Sequence, residues 1–229
     1  MEVRVDSLIP GARTAEGTVI VVDVFRAFTT AAVAFERGAR KIVMVAEVEE
    51  ALELRDKGIA HICMGEVGGK KPTGFDFGNS PHEISQADVE GLVIAQSTRA
   101  GTVGIASATK AERIFAGSLV IADATVHAVL AAKPDVVTIV AMGASGVVRS
   151  DEDEQCAMLL KNRLEGRSVD EDAVRKLILA GAESQKYGNP SLEHFHPRDK
   201  EIALEIDSRN FAIKVRMENG LPVAYPMNH

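Results

Sequence analysis

Short runs of β-branched and aliphatic residues alternate with helix-patterned segments along most of this chain, and that alternation limits the fold more than any other feature. Residues 18–24 read TVIVVDV and lead into the alanine-rich AFTTAAVAFERG (27–38), closed by Gly38 as helices often are. The unit recurs as KIVMVA (41–46) then EVEEALELRDKG (47–58), and further apolar runs stand at GLVIA (91–95), SLVIAD (118–123) and DVVTIVAM (135–142). Strands that are apolar throughout, each with a helical pattern nearby, predict a layered α/β/α fold whose largely parallel or mixed sheet is covered on both faces. The grammar then changes. Residues 151–166 and 169–181 read as consecutive helices, and FAIKVRM with LPVAYP (211–226) reads as a C-terminal hairpin turning at Glu218, Asn219 and Gly220. No linker or repeat interrupts residues 1–229, so a single domain is expected.

Composition sets outer limits. The chain has 229 residues, 46% of them hydrophobic and 26% charged, which suffices for a sizeable core and excludes disorder. No apolar run approaches the roughly 18 residues of a membrane span, and the N-terminus lacks a signal-peptide layout, so a soluble cytoplasmic protein is expected. A net charge of −7 argues against a nucleic-acid surface. Cys63 and Cys156 are far apart and suggest neither a disulfide framework nor a zinc site. Cys156 reads as a small core residue rather than a nucleophile. Apolar segments such as 103–108 suit either core or a homodimer interface.

In open α/β sheets ligands gather where strands end and helices begin. The first such place is Asp23, Arg26, Thr29 and Thr30. Either Asp23 and Arg26 pair with each other while the threonines start a helix, or Asp23 serves as metal ligand, base or nucleophile and Arg26 forks onto a phosphate or carboxylate. The second is GEVGGKKPTGFDFGNSP (65–81), a long loop with Gly68 and Gly69 for close backbone approach and Lys70 and Lys71 as cationic donors. It ends in Asn79, Ser80, Pro81, His82 and Glu83, which fit a capping box with Ser80 as N-cap and Glu83 reaching back. A P-loop is absent, since Gly69-Lys70 is followed by Lys71. The third is Gln96-Ser97-Thr98-Arg99, suited to an anion or to plain capping. The fourth is the acidic start of the helix at 151, where Asp151 and Glu154 answer the helix dipole and Glu152 or Asp153 can join Asp23 or Glu66 around a hard cation. Among the histidines, His61 reads as buried within a strand, His82, His127 and His229 as surface positions, and His194 with His196 as a weak metal signal.

These residues carry a resemblance. Asp23-Val24-Phe25-Arg26-Ala27 with Thr29-Thr30, then Gly65-Glu66, Gly68-Gly69-Lys70-Lys71, Gly74-Phe75-Asp76, Gly78-Asn79-Ser80-Pro81 and Thr98-Arg99-Ala100 resemble the 2-phosphosulfolactate phosphatase family, with weaker likeness at Ser150, Glu152, Asp153 and Cys156. The resemblance implies a magnesium-dependent phosphatase that acts on a small phosphorylated anionic substrate, the phosphate ester of a sulfonated hydroxy acid, in a step toward coenzyme M. It implies catalysis by Asp23, Arg26, Lys70, Lys71 and Arg99, and substrate contacts from Thr29, Thr30, Gly68, Gly69, Asn79, Ser80 and Thr98. Mg²⁺ ligands are expected among Asp23, Glu66, Glu152 and Asp153. The chain departs from the family at Gln96-Ser97, where an Asn-Gly is usual, which leaves room for another phosphorylated carboxylate or for a non-catalytic anion-binding protein. The resemblance carries no functional residue beyond residue 185.

Overall fold

The computed structural model describes residues 1–228; His229 lies outside them. In chain order the elements are β1 (Glu2–Ser7), α1 (Leu8–Thr14), β2 (Gly17–Val22), α2 (Ala27–Glu36), β3 (Lys41–Val45), α3 (Val48–Asp56), β4 (Ile62–Gly65), α4 (Pro81–Ser85) and β5 (Val93–Ser97). There follow α5 (Gly101–Ser107), β6 (Ala111–Gly117), α6 (Ala122–Ala131), β7 (Val136–Ala141), α7 (Asp151–Leu164), α8 (Glu171–Ala180), α9 (Pro197–Ala203), β8 (Phe211–Glu218) and β9 (Leu221–Asn228). Most expected strands and helices are present with ends displaced by at most two residues.

All nine strands join one mixed sheet in the order β1-β7-β2-β6-β8-β9-β3-β5-β4. It consists of two parallel groups, β1-β7-β2-β6 and β3-β5-β4, with the antiparallel β8–β9 hairpin inserted between them. Asn219 and Gly220, with φ of 52° and 82°, make the tight turn that the sequence suggested. Following the pairing directions through the hairpin, the two parallel groups run opposite ways. In a flat sheet their carboxyl ends would lie on opposite edges. Right-handed twist of roughly 20–25° per strand step accumulates to about 100° over the five steps from β2 to β5, which swings the two sets of ends toward each other.

The sheet curls around α2. Nine residues of this helix, Ala27 through Phe35, are buried, and they pack with β2, β3, β4, β5, β6 and β7 in one continuous core. A helix apolar on every side belongs in an interior, and its alanines let surrounding strands approach closely. On the other face α6 and α7 cover the first group of strands through Val126, Val129, Leu159 and Leu160, while α3 covers the second through Ala51 and Leu54.

Two local expectations fail. SLVIAD (118–123) is a 3-10 turn over Leu119–Ile121 entering α6, and the strand is the preceding AERIFAG. A short apolar run has no period that separates a strand from a buried helix start. The N-terminal strand and helix also escaped the pattern, because β1 is a half-exposed edge strand and α1 carries Pro10 and Gly11. His61 is exposed and precedes β4, where its Nδ1 accepts the Val93 N–H.

Candidate active site

β2 ends at Val22, and the next residue sets the floor of the site. Asp23 is 5% exposed; its Oδ1 accepts the Ala27 N–H at 2.9 Å, and the Gly101 amide at the start of α5 adds a second bond. Gly101 fits because a Cβ there would stand 2.9 Å from Asp23 Oδ2 and 2.8 Å from the Ala27 Cβ. Burial pushes the Asp23 carboxyl up to about 6; the two amides and Arg26 pull it down, and Glu66 pushes it further up.

Glu66 follows β4. Its Oε2 accepts the Gly69 N–H at 2.7 Å and its Oε1 the Arg99 N–H at 2.8 Å, so one carboxylate ties together the loops that leave β4 and β5. Asp153 performs the same service on the other group of strands, accepting Val24 N–H at 2.7 Å and Gly143 N–H at 2.8 Å. Beside it Glu152 is pushed up to about 7 by burial, with Glu183 and Asp23 adding to the shift and its own amide and the Ser150 hydroxyl opposing it.

Asp23, Glu66, Glu152 and Glu183 line a cavity of about 320 Å³, with Gly68, Gly69, Asn79, Gly143 and Ser145 as polar backbone and side-chain neighbours. The remaining wall comes from Lys186, Leu192, His194 and Phe195. These last residues are what sequence reasoning missed. Arg26 explains their presence: its Nη1 donates to Asp199 Oδ2 and to the His194 carbonyl, each at 2.8 Å, and its Nη2 donates to the Gly69 carbonyl at 3.1 Å. The guanidinium also stands 4.9 Å from the Phe195 ring centre. Asp199, fully buried, accepts the Ser80 hydroxyl at 2.6 Å and the His82 N–H at 3.0 Å with its other oxygen. Arg26 therefore closes the cavity by holding the 194–199 segment over it; it does not pair with Asp23.

Several expected contacts are not made. The hydroxyls of Thr29 and Thr30 donate to the carbonyls of Val24 and Arg26 inside the core, and Thr98 trades bonds with Thr102 at the start of α5. Ser80 is spent on Asp199 and on capping α4, and Glu83 reaches Gly78 rather than Ser80. Arg99 turns its guanidinium to Glu47 at 3.1 Å, away from the cavity. Lys70 is exposed beside His194, whose imidazole it helps push down after burial. Lys71 lines an adjoining cleft of about 250 Å³ with His82 and His196, whose rings stack at 4.4 Å. Asp153 has both oxygens engaged by amides. Glu193-His194-Phe195-His196 forms no metal site; among the described residues no group of three or more His, Cys, Asp or Glu side chains is placed to hold an ion. Cys156 is a buried core residue whose thiol burial pushes far up. Gln96 and Ser97 do not line the cavity: Gln96 donates to the Ala27 carbonyl and Ser97 to the Ala46 carbonyl.

The raised carboxyls have a consequence for stability. A group held above its ordinary value binds protons more tightly in the folded than in the unfolded chain, so stability falls as pH rises between the two values. For Glu152 that window runs from 4.5 to about 7. In metal-free buffer Glu152→Gln should remove a pH-dependent loss of roughly 3 kcal/mol, seen as a flatter plot of urea midpoint against pH. An unchanged slope would place the proton elsewhere.

The profile of the family described as 2-phosphosulpholactate phosphatase matches residues 4–196. The chain is 34% identical to a probable 2-phosphosulfolactate phosphatase of Thermoplasma volcanium over 82% of its own length and 84% of that protein's. It is 33% identical to the one so named in Thermoplasma acidophilum, over 83% and 82% of the two lengths, and 30% identical to that of Bacillus subtilis, over 89% of each.

Proposed function

This chain belongs to the 2-phosphosulfolactate phosphatase family, and on that premise we propose that its cavity hydrolyses the phosphate ester of a small sulfonated or carboxylated hydroxy acid with the help of magnesium. The observation that carries the reading is the cavity's charge. Four carboxyl groups line it against two cations, and both cations are already matched, Arg26 by Asp199 and Lys186 by Glu183. A phosphate ester entering such a place needs a compensating cation. Hard oxygen donors suit magnesium, which commonly takes one or two carboxylates and fills the rest of its shell with water and substrate phosphate. Asp23 and Glu66 fit that part. They are close enough for Glu66 to raise the Asp23 carboxyl, and each is aimed by backbone amides. When bound, magnesium would neutralise charge building on the phosphoryl oxygens.

The chain's own residues supply the rest. A secondary alkoxide is a poor leaving group unless protonated, and Glu152, which lines the cavity and whose carboxyl burial pushes up, is the group placed to supply that proton. In the proposed step a water oxygen bonds to phosphorus as the ester P–O bond breaks. The Glu152 proton goes to the leaving oxygen, and one water proton passes to a phosphate oxygen. The products are the hydroxy acid and inorganic phosphate. Phosphoryl transfer through a loose transition state asks mainly for positioning and charge, so no strong base is required. Phe195 and Leu192 keep bulk water from the wall opposite.

A phosphate-release assay with 2-phosphosulfolactate tests this directly. Release should require magnesium and stop with EDTA, and magnesium should raise the melting temperature of the protein without substrate. Absence of both effects would remove magnesium from the reading. Tight binding of 2-phosphosulfolactate with no release would favour the non-catalytic alternative.

A further inference from the structure

The hydrolytic step leaves part of the cavity wall unexplained. Lys186 lines the cavity, and its ammonium contacts both oxygens of Glu183, at 2.7 and 2.6 Å, within the 3-10 turn Glu183–Lys186. These bonds use two of its three N–H donors, and the ammonium stands 5.7 Å from the Phe195 ring centre. Arg26 uses three of its five N–H donors on protein oxygens and is 3% exposed. Asn79 is 5% exposed and lines the cavity, and its Oδ1 is buried without a hydrogen-bond partner. Buried polar groups are ordinarily satisfied, and an acceptor left this way in a cavity wall suits a water, a hydroxyl or a cation rather than an acid group.

An ion pair between residues three apart is ordinarily a surface feature of little consequence. Here both partners face the cavity, and Glu183 also raises the carboxyl of Glu152. The pair thus puts its acid where an anionic substrate must go. An arriving carboxylate or sulfonate can take over the ammonium from Glu183 while Glu183 turns to water. Lys186 and Glu183 are both only partly buried, so Glu183 can turn to solvent while Lys186 keeps an ion pair throughout. A neutral group at the same position offers no such exchange.

Resting on the phosphatase reading, we propose that Lys186, with the uncommitted N–H donors of Arg26, binds the acid group that the substrate carries besides its phosphate, displacing Glu183. The site therefore selects phosphate esters that bear a second acid. Phosphosulfolactate carries both a carboxylate and a sulfonate beside its ester carbon; glycerol 2-phosphate has the same secondary ester with neutral arms.

The test compares these two compounds in the full chain with magnesium. Lys186→Met should lower the ratio of kcat/KM for phosphosulfolactate over glycerol 2-phosphate by roughly ten- to hundredfold, mostly through KM. Glu183→Gln should raise the same ratio severalfold. A ratio within twofold of wild type in Lys186→Met, or equal losses on both compounds, would overturn the proposal. Should wild type release phosphate from neither compound, the phosphatase reading fails by itself. Calorimetric binding of phosphosulfolactate then decides the subsite, which requires at least tenfold weaker binding in Lys186→Met.

Discussion

Asp23→Asn should lower kcat for phosphate release by roughly a thousandfold even at saturating magnesium, the scale expected when preorganised electrostatic stabilisation is removed. The substitution is close in shape: the new amide oxygen can still accept the Ala27 N–H that Oδ1 accepts at 2.9 Å. It also removes a buried negative charge that lies beside Glu66. The metal-free variant should stay folded at neutral pH, the relief of a buried charge being set against an amide NH2 that now faces the Gly101 N–H, while the magnesium-induced rise in melting temperature should disappear. Loss of turnover with loss of folding would say nothing about chemistry, so the two measurements belong together. An acid quench during turnover by wild type should trap no protein-bound phosphate. A trapped acyl phosphate on Asp23 would make it the nucleophile instead of a metal-holding group.

The second large effect concerns the ion pair that closes the site. Asp199→Ala should cost about 3–5 kcal/mol of unfolding free energy, because it strands the buried Arg26 guanidinium and leaves the Ser80 hydroxyl and His82 amide without an acceptor. Asp199→Asn should cost less, since it keeps an oxygen for Ser80 and His82. In the double variant Arg26→Met with Asp199→Ala the stranded charge is gone, and part of the stability should return. Urea denaturation of wild type, Asp199→Ala, Arg26→Met and the double variant closes the cycle. A cost below about 1 kcal/mol for Asp199→Ala would mean that the 194–199 segment is not held as described.

How much of this could be seen in the residues alone depended on what kind of pattern each one belonged to. Asp23 and Glu66 stand immediately after apolar strands, and the strand pattern alone locates both. Thr29, Thr30 and Thr98 stand in equally suggestive places, yet their hydroxyls serve neighbouring backbone. A hydroxyl near a helix start looks the same whether it binds a ligand or the preceding turn. Lys70 and Lys71 attracted notice because they are paired, whereas the cavity uses the solitary Lys186. Asp199 gave no signal. It sits in HPRDKE, a stretch as polar as any solvated helix face, and is buried only because Arg26, 173 residues earlier, reaches it. Such a pairing is set by the twist of the whole sheet and has no local signature. Gln96 and Ser97 mislead in the opposite way: they follow the strand pattern into a suggestive place, yet both side chains bond backbone carbonyls in a packed layer and neither lines the cavity.

The central position of β8 and β9 also bears on how the protein is made. Every other strand precedes them in sequence, yet they alone join β6 to β3. During synthesis the two parallel groups must wait with one edge each unpaired, and an open edge rich in backbone donors and acceptors invites pairing with another chain. Yield at high expression should accordingly depend on how quickly that hairpin docks. Because the cavity draws on both groups, a ribosome-bound chain that has not yet extended to residue 228 would be expected to have the residues of the site without the site.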